Sequence, residues 1–140
     1  MPAVEPLHLA VFAWLLICAI QDWRDRKVSN WFTLLPLALA ICLRLAGLIQ
    51  GSLLPLLAAI AFLLLFWQRG WIGGADAKAS LALALLDMRV FAWAWLGLGL
   101  WYLGLRLVYG RKCDRRLPAF VGFTTGVGAL LAVEVLRQGN

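Results

Sequence analysis

Residues 53–67 read LLPLLAAIAFLLLFW, a run of fifteen residues without a charged side chain. Similar runs, rich in Leu, Ala and Trp, fill most of the chain on both sides of it. A helix needs roughly 17–25 mostly apolar residues to cross the hydrocarbon core of a bilayer. The stretch therefore indicates a short transmembrane helix in a chain made of such helices.

The composition of the 140-residue chain excludes a water-soluble fold. Apolar residues make up 64% of it and charged residues 14%, whereas soluble domains average about 45–50% and about 25%. A small domain leaves much of its surface exposed, so it cannot hide this many apolar side chains. A soluble enzyme, a secreted disulfide scaffold and a disordered tail are excluded. We expect a single integral-membrane domain over residues 1–140.

Six apolar segments predict an all-α, polytopic membrane protein with about six transmembrane helices. The predicted segments are 6–21, 31–49, 53–67, 74–86, 90–108 and 117–136. The first, third and fourth are short, which indicates local thinning of the membrane or a position inside the helix bundle. Gly122 and Gly126 on the sixth segment, with Gly97 and Gly104 on the fifth, are predicted to allow close packing between helices.

The cations predict the orientation of the chain in the membrane. Lys and Arg concentrate in loops on the cytoplasmic side of a membrane. Ten of the thirteen cations lie in or beside the regions that follow segments 1, 3 and 5: Arg24, Arg26, Lys27, Arg69, Lys78, Arg106, Arg111, Lys112, Arg115 and Arg116. We therefore expect a multi-pass protein of the inner (cytoplasmic) membrane, with these regions in the cytoplasm and both termini outside. The net charge of +6 is explained by this topology and by membrane lipid, not by nucleic acid.

The residues that bind metal ions are sparse in this chain. His8 is the single histidine, and the three cysteines have no C-x-x-C spacing. This pattern offers no cluster of metal ligands. We expect neither a metal ion nor a cofactor.

Two of the seven acidic residues stand at the predicted cytoplasmic mouth of the bundle. Asp22 ends the first segment, and Asp76 follows Gly73-Gly74-Ala75 at the start of the fourth. Ionisable groups at membrane depth are costly and mark functional pathways. Two neighbouring carboxylates cannot both ionise cheaply, so one keeps a proton. The ionised partner can then activate a water as general base while the protonated partner polarises a peptide carbonyl.

From the sequence alone, both aspartates can also have purely structural roles. Asp22 can form an ion pair with Arg24 or Arg26. Asp76 can cap the fourth helix as its N-cap acid. Position and spacing do not decide between these interpretations and a catalytic pair.

At these residues the sequence resembles the type IV prepilin peptidases, bacterial members of the GxGD class of intramembrane aspartyl proteases. Residues 22–30, DWRDRKVSN, are similar to the family's segment of an Asp, basic residues and then Ile/Val-Pro-Asn. Residues 73–78, GGADAK, are similar to its Gly-x-Gly-Asp-x-Lys. The Leu117-Pro118-Ala119-Phe120 segment adds a looser similarity to a Pro-Phe element. The resemblance covers essentially the whole chain.

The resemblance implies a GxGD aspartyl protease-like bundle and an intramembrane aspartic endopeptidase with Asp22 and Asp76 as its catalytic pair. The implied substrate is a prepilin, whose short basic leader precedes an apolar helix and is removed at the cytoplasmic face, commonly just after a Gly. The compact form lacks the C-x-x-C insertion of larger members, is similar to the peptidases of Flp-type (tight-adherence) pili and implies no N-methylation. Because the cytoplasmic cations repel a basic leader, Asp25, Asp114 or lipid are the candidates for its recognition.

The motifs also imply a set of supporting residues: Gly73, Gly74, Ala75, Lys78 and Asn30. Lys78 either acts on a carboxylate or substrate carbonyl, or extends its ammonium group to lipid headgroups. Asn30 either orients Asp22 or caps the second helix.

Two departures from the family pattern keep alternative functions open. Ser29 stands where the family has Pro, and Ala75 replaces its second Gly. An Ala there costs energy if the position needs positive φ or a very close backbone approach. The alternatives are an inactive relative that binds pilin or assembly components, and a small proton or cation transporter using Asp22 and Asp76. Against the transporter, neither acid lies at the bilayer midplane, where transporter sites are found.

Overall fold

The computed structural model describes residues 6–109 and 118–138, and its regular elements are all α-helices. They are α1 (Pro6–Asp25), α2 (Asn30–Leu45), α3 (Leu53–Gln68), α4 (Gly74–Leu86), α5 (Met88–Tyr109) and α6 (Ala119–Gln138). The absence of strands within the described ranges confirms the prediction of an all-α fold. Part of the predicted loop between the last two helices lies outside the described residues: Arg111, Lys112, Asp114, Arg115 and Arg116.

Within the part of the chain that the structure describes, three helices are long and apolar enough to cross a membrane: Pro6–Asp25, Met88–Tyr109 and Ala119–Arg137. The apolar helices α2 and α3 have 16 residues each. That length gives about 24 Å of helix axis, against roughly 30 Å for the hydrocarbon core. With 13 residues, α4 is shorter still. The helices are those of a membrane protein, and the number of six spans stays a prediction.

The described chain forms two compact units. The first unit contains residues 6–27, 92–109 and 118–138, and the second contains residues 28–91. In the first unit, α1 and α6 pack antiparallel. The fully buried His8 near the start of α1 lies 3.0 Å from the carboxylate of Glu134 near the end of α6. Further along, the Thr124 hydroxyl donates to the Leu15 carbonyl at 3.1 Å.

Apolar stripes on α1 and α6 make the core of the first unit. Their buried positions recur every three or four residues, the spacing of a single helix face. These side chains are Val11, Leu15 and Cys18 of α1 and Phe120, Phe123, Val127 and Leu130 of α6.

Glycines let α5 and α6 approach each other closely. A Cβ atom on Gly97 would collide with the backbone of Gly126, and one on Gly122 would lie 2.7 Å from the Cα of Leu98. The predicted packing role is confirmed for these three glycines. Gly104 takes no part in this contact within the described residues, because nothing there lies within 4 Å of a Cβ atom on it.

The second unit is built around α4, which packs against both α2 and α3. Six of its side chains are buried: Ala79, Ser80, Ala82, Leu83, Ala84 and Leu85. This burial agrees with the expectation that a short fourth helix sits inside the bundle. At the far end of α4, the Arg44 guanidinium donates to the carbonyls of Leu85 at 3.2 Å and Gly51 at 3.0 Å. These bonds tie the end of α2 to the end of α4.

The close approach of α5 and α6 can be tested with two alanine substitutions on one helix. We expect Gly97→Ala to lower the free energy of unfolding by about 1–3 kcal/mol, because its Cβ overpacks the contact. We expect Gly99→Ala to be neutral or slightly stabilising, because its Cβ meets nothing within 4 Å and Ala favours a helix by about 1 kcal/mol over Gly. Unfolding of the purified protein in detergent micelles measures both. Equal stabilities would contradict the close approach.

Candidate active site

Asp22 lies in the last turn of α1. This helix ends at Asp25, four residues past the end that the sequence predicts at residue 21. The side chain is half-buried. Its Oδ2 accepts a hydrogen bond from the backbone N–H of Phe120 at 3.3 Å. Phe120 is the second residue of α6, so this N–H is one of the groups that lack a partner within their own helix. The first helical turn of α6 therefore holds the Asp22 carboxyl group.

The end of α1 fixes the backbone around Asp22. Arg26 adopts a left-handed conformation with φ of 54°, and it is the one described non-glycine residue with positive φ. Its N–H donates to the Asp22 carbonyl at 3.1 Å. Such conformations are uncommon outside glycine and cluster at functional sites. The alternative ion pair of Asp22 with Arg24 or Arg26 stays a prediction.

Asp76 is the third residue of α4, and its carboxylate caps that helix. Its Oδ2 accepts the backbone N–H of Gly73 at 3.2 Å. The expectation that Asp76 is the N-cap residue is wrong, because Gly73 holds that position, but the Asp76 carboxylate does cap the helix from its first turn. A Cβ atom on Gly73 would lie 3.2 Å from this oxygen, tighter than ordinary van der Waals contact, so the glycine leaves room for the carboxylate. The side chain of Asp76 is half-buried.

Ala75 has an ordinary helical backbone. It is the second residue of α4 and is not at positive φ. Neighbouring Gly74 also lacks a positive φ, and nothing lies within 4 Å of a Cβ atom there. The backbone at position 75 therefore does not require a glycine, because it does not adopt a positive φ.

Lys78 and Asn30, the two remaining supporting residues, contact each other within the second unit. The Lys78 Nζ donates to the Asn30 Oδ1 at 3.2 Å. Asn30 is the first residue of α2, and Ser29 occupies the N-cap position. The prediction that Asn30 caps the second helix is therefore wrong, because its side chain bonds to an ammonium group instead. This bond joins the second turn of α4 to the start of α2.

The structure thus joins two pairs of predicted site residues, Gly73 with Asp76 and Asn30 with Lys78. Asp22 belongs to the first unit and Asp76 to the second. The sequence motifs did not indicate that the backbone N–H of Phe120 would bond to Asp22. The available signal was Pro118, because a proline beside a helix start indicates where the free N–H groups lie.

The Lys78–Asn30 bond can be tested by a double-mutant cycle. We expect Lys78→Met and Asn30→Ala to be non-additive, with a coupling of about 0.5–1.5 kcal/mol in the free energy of unfolding. Chemical denaturation in detergent micelles gives the four values. Lys78→Arg, which keeps donor groups, serves as the matched control. Additive losses would show that the bond does not contribute to stability.

In a comparison with known families, residues 9–134 match the sequence model of the type IV leader peptidase family. This range contains both aspartates, the glycines before Asp76 and the Lys78–Asn30 pair. No curated protein and no solved structure matches the chain. The resemblance seen in the two motifs is thereby confirmed at the level of the family. The chain belongs to the type IV leader peptidase family and is a membrane peptidase.

Proposed function

We propose that the protein is an intramembrane aspartic endopeptidase that removes the basic leader from Flp-type type IV prepilins. Cleavage takes place at the cytoplasmic face of the inner membrane, with Asp22 and Asp76 as the catalytic pair. The proposal rests on one observation, which holds for both aspartates. Each carboxyl group accepts a backbone N–H at the start of a helix, α6 for Asp22 and α4 for Asp76.

The chemistry needs one ionised and one protonated aspartate. The ionised carboxylate takes a proton from a water molecule as the water oxygen attacks the scissile carbonyl carbon. The protonated carboxyl group donates its proton to the carbonyl oxygen, giving a neutral tetrahedral diol. When the diol collapses, the C–N bond breaks, one hydroxyl proton returns to a carboxylate, and the departing nitrogen takes a proton from the other carboxyl group. The pair ends as it began, with one proton.

The hydrogen bonds from the backbone support this chemistry by orientation. A carboxyl group held by an N–H donor has lost part of its rotational freedom before the substrate arrives. Positioning of reacting groups in advance removes a large part of the entropic barrier to reaction.

An apolar hollow beside Asp76 supports a substrate with an apolar helix. Ala77 and Lys78, the two residues that follow Asp76, border it in the second unit. The rest of its lining is apolar and comes from α3 and α4: Ile60, Leu63, Leu64, Trp67 and Leu81. Apolar side chains of the prepilin fit this lining.

Recognition of the basic leader requires negative charge near the site. Asp25 is exposed in the last turn of α1, three residues after Asp22. Its carboxylate is available to a Lys or Arg of the leader. The other candidate acid, Asp114, lies outside the described residues.

Isosteric amides test the catalytic pair. We expect Asp22→Asn and Asp76→Asn each to lower prepilin processing about 10²–10⁴-fold or more, because an amide cannot exchange the proton. Each amide oxygen still accepts the backbone N–H, so the fold is kept. Co-expression with a tagged prepilin and immunoblotting of the leader measures processing in membranes.

Asp87→Asn is the matched control for these substitutions. Asp87 Oδ1 accepts the N–H of Arg89 at 2.7 Å, a bond that the amide preserves, so normal processing is expected. Processing that persists in either active-site variant removes that aspartate from the mechanism.

Ala75→Gly tests whether the departure from the family motif impairs the enzyme. We expect unchanged processing, because residue 75 has an ordinary helical φ. We also expect a loss of up to about 1 kcal/mol in the free energy of unfolding, because Gly is a poor helix former. The immunoblot and a denaturation curve give both quantities. A large gain in processing would show that Ala75 restricts the natural site.

A further inference from the structure

Ser80 is a buried residue of α4 whose hydroxyl has no hydrogen-bond partner among the described residues. Its exposed fraction is 0%. The other buried hydroxyls of the described chain are bonded: Thr33 donates to the Asn30 carbonyl at 3.1 Å, and Thr124 donates to the Phe120 carbonyl at 2.8 Å. Ser80 is therefore the exception among the buried hydroxyls of the described residues.

The unpartnered hydroxyl is costly where it stands. A buried polar group without a partner costs about 1–3 kcal/mol. A serine in a helix usually avoids this cost by bonding to a carbonyl one turn back, but Ser80 makes no such bond. The buried residues on either side are Ala79, Ala82 and Leu83, and alanine at position 80 would carry no penalty of this kind.

The position of Ser80 on α4 connects it to Asp76. The two residues are four apart in one helix, so they lie on the same face, one turn from each other. Side chains of a helix tilt towards its N-terminus, which directs the Ser80 side chain towards the turn that carries Asp76. Three residues before Asp76 in the chain, the backbone N–H of Gly73 donates a hydrogen bond to Oδ2 of the Asp76 carboxylate.

We propose that Ser80 is a positioning residue that donates a hydrogen bond to the carboxyl group of Asp76 during peptide cleavage. When substrate binds, the Ser80 bond takes over from the Gly73 bond: the carboxyl group stays held by one donor as it turns towards the substrate, and the Ser80 hydroxyl is satisfied. The structure, in which the Ser80 hydroxyl makes no hydrogen bond, represents the protein before this step. The inference rests on the proposed function, because it assigns Asp76 a catalytic role.

Steady-state cleavage of a prepilin peptide by the purified protein in detergent tests the inference. Ser80→Ala should lower kcat about tenfold or more, the effect of losing a hydrogen bond to a charged group, and leave KM unchanged. Its thermal stability should equal or exceed that of the natural protein, because an unpartnered hydroxyl is removed. Ser80→Cys, which keeps a weak donor of similar size, should recover part of kcat.

Ser52→Ala is the matched control. Ser52 is the exposed N-cap residue of α3, and its side chain makes no capping hydrogen bond. We expect this variant to have natural kcat and KM.

The outcomes separate the inference from the proposed function. A natural kcat in Ser80→Ala overturns the inference alone. So does a loss of kcat together with a loss of thermal stability and no recovery in Ser80→Cys, because that combination indicates packing. Absence of cleavage by the natural protein, or cleavage by Asp76→Asn, overturns the proposed function and this inference with it.

Discussion

A polar group buried among apolar helices has no water to bond, and this constraint governs how the helices are held together. In the first unit, the buried His8 meets Glu134, and Thr124 meets the carbonyl of Leu15. In the second unit, Arg44 supplies two donors to backbone carbonyls. Apolar contact alone discriminates weakly between helix registers in lipid, because the lipid is as apolar as the side chains. The few polar contacts therefore specify which turns of the helices face each other.

The same constraint limits where carboxyl groups can lie in an apolar helical chain. A carboxyl group needs donors, and the interior of a helix has none to spare, because its N–H groups are bonded to its own carbonyls. The start of a helix does have free N–H groups. Asp22 and Asp76 both use such groups, one from another helix and one from the residue before its own helix. Helix ends thus supply donors for carboxyl groups, even in a chain with 64% apolar residues.

The helices were predictable from the sequence, and their partners were not. Apolar runs located all six helices, and the predicted bounds of the fourth, 74–86, agree with α4. The capping role of Asp76 was predictable because it joins residues three apart in the chain. The bonds of Asp22 to Phe120 and of Lys78 to Asn30 join residues 98 and 48 apart. Local patterns specify which face of a helix is apolar, but they do not specify which distant residue meets it.

The contacts between α1 and α6 have equal spacing on the two helices. Fourteen residues separate His8 from Asp22, and fourteen separate Phe120 from Glu134, which is about 21 Å of axis in each helix. One residue inserted into either helix would move one contact by about 1.5 Å and rotate it by about 100°. The contacts of His8 with Glu134 and of Asp22 with Phe120 are then both kept only if the other helix changes length as well. The two intervals are therefore coupled: an insertion or deletion in one helix keeps both contacts only if the other helix changes by the same number of residues.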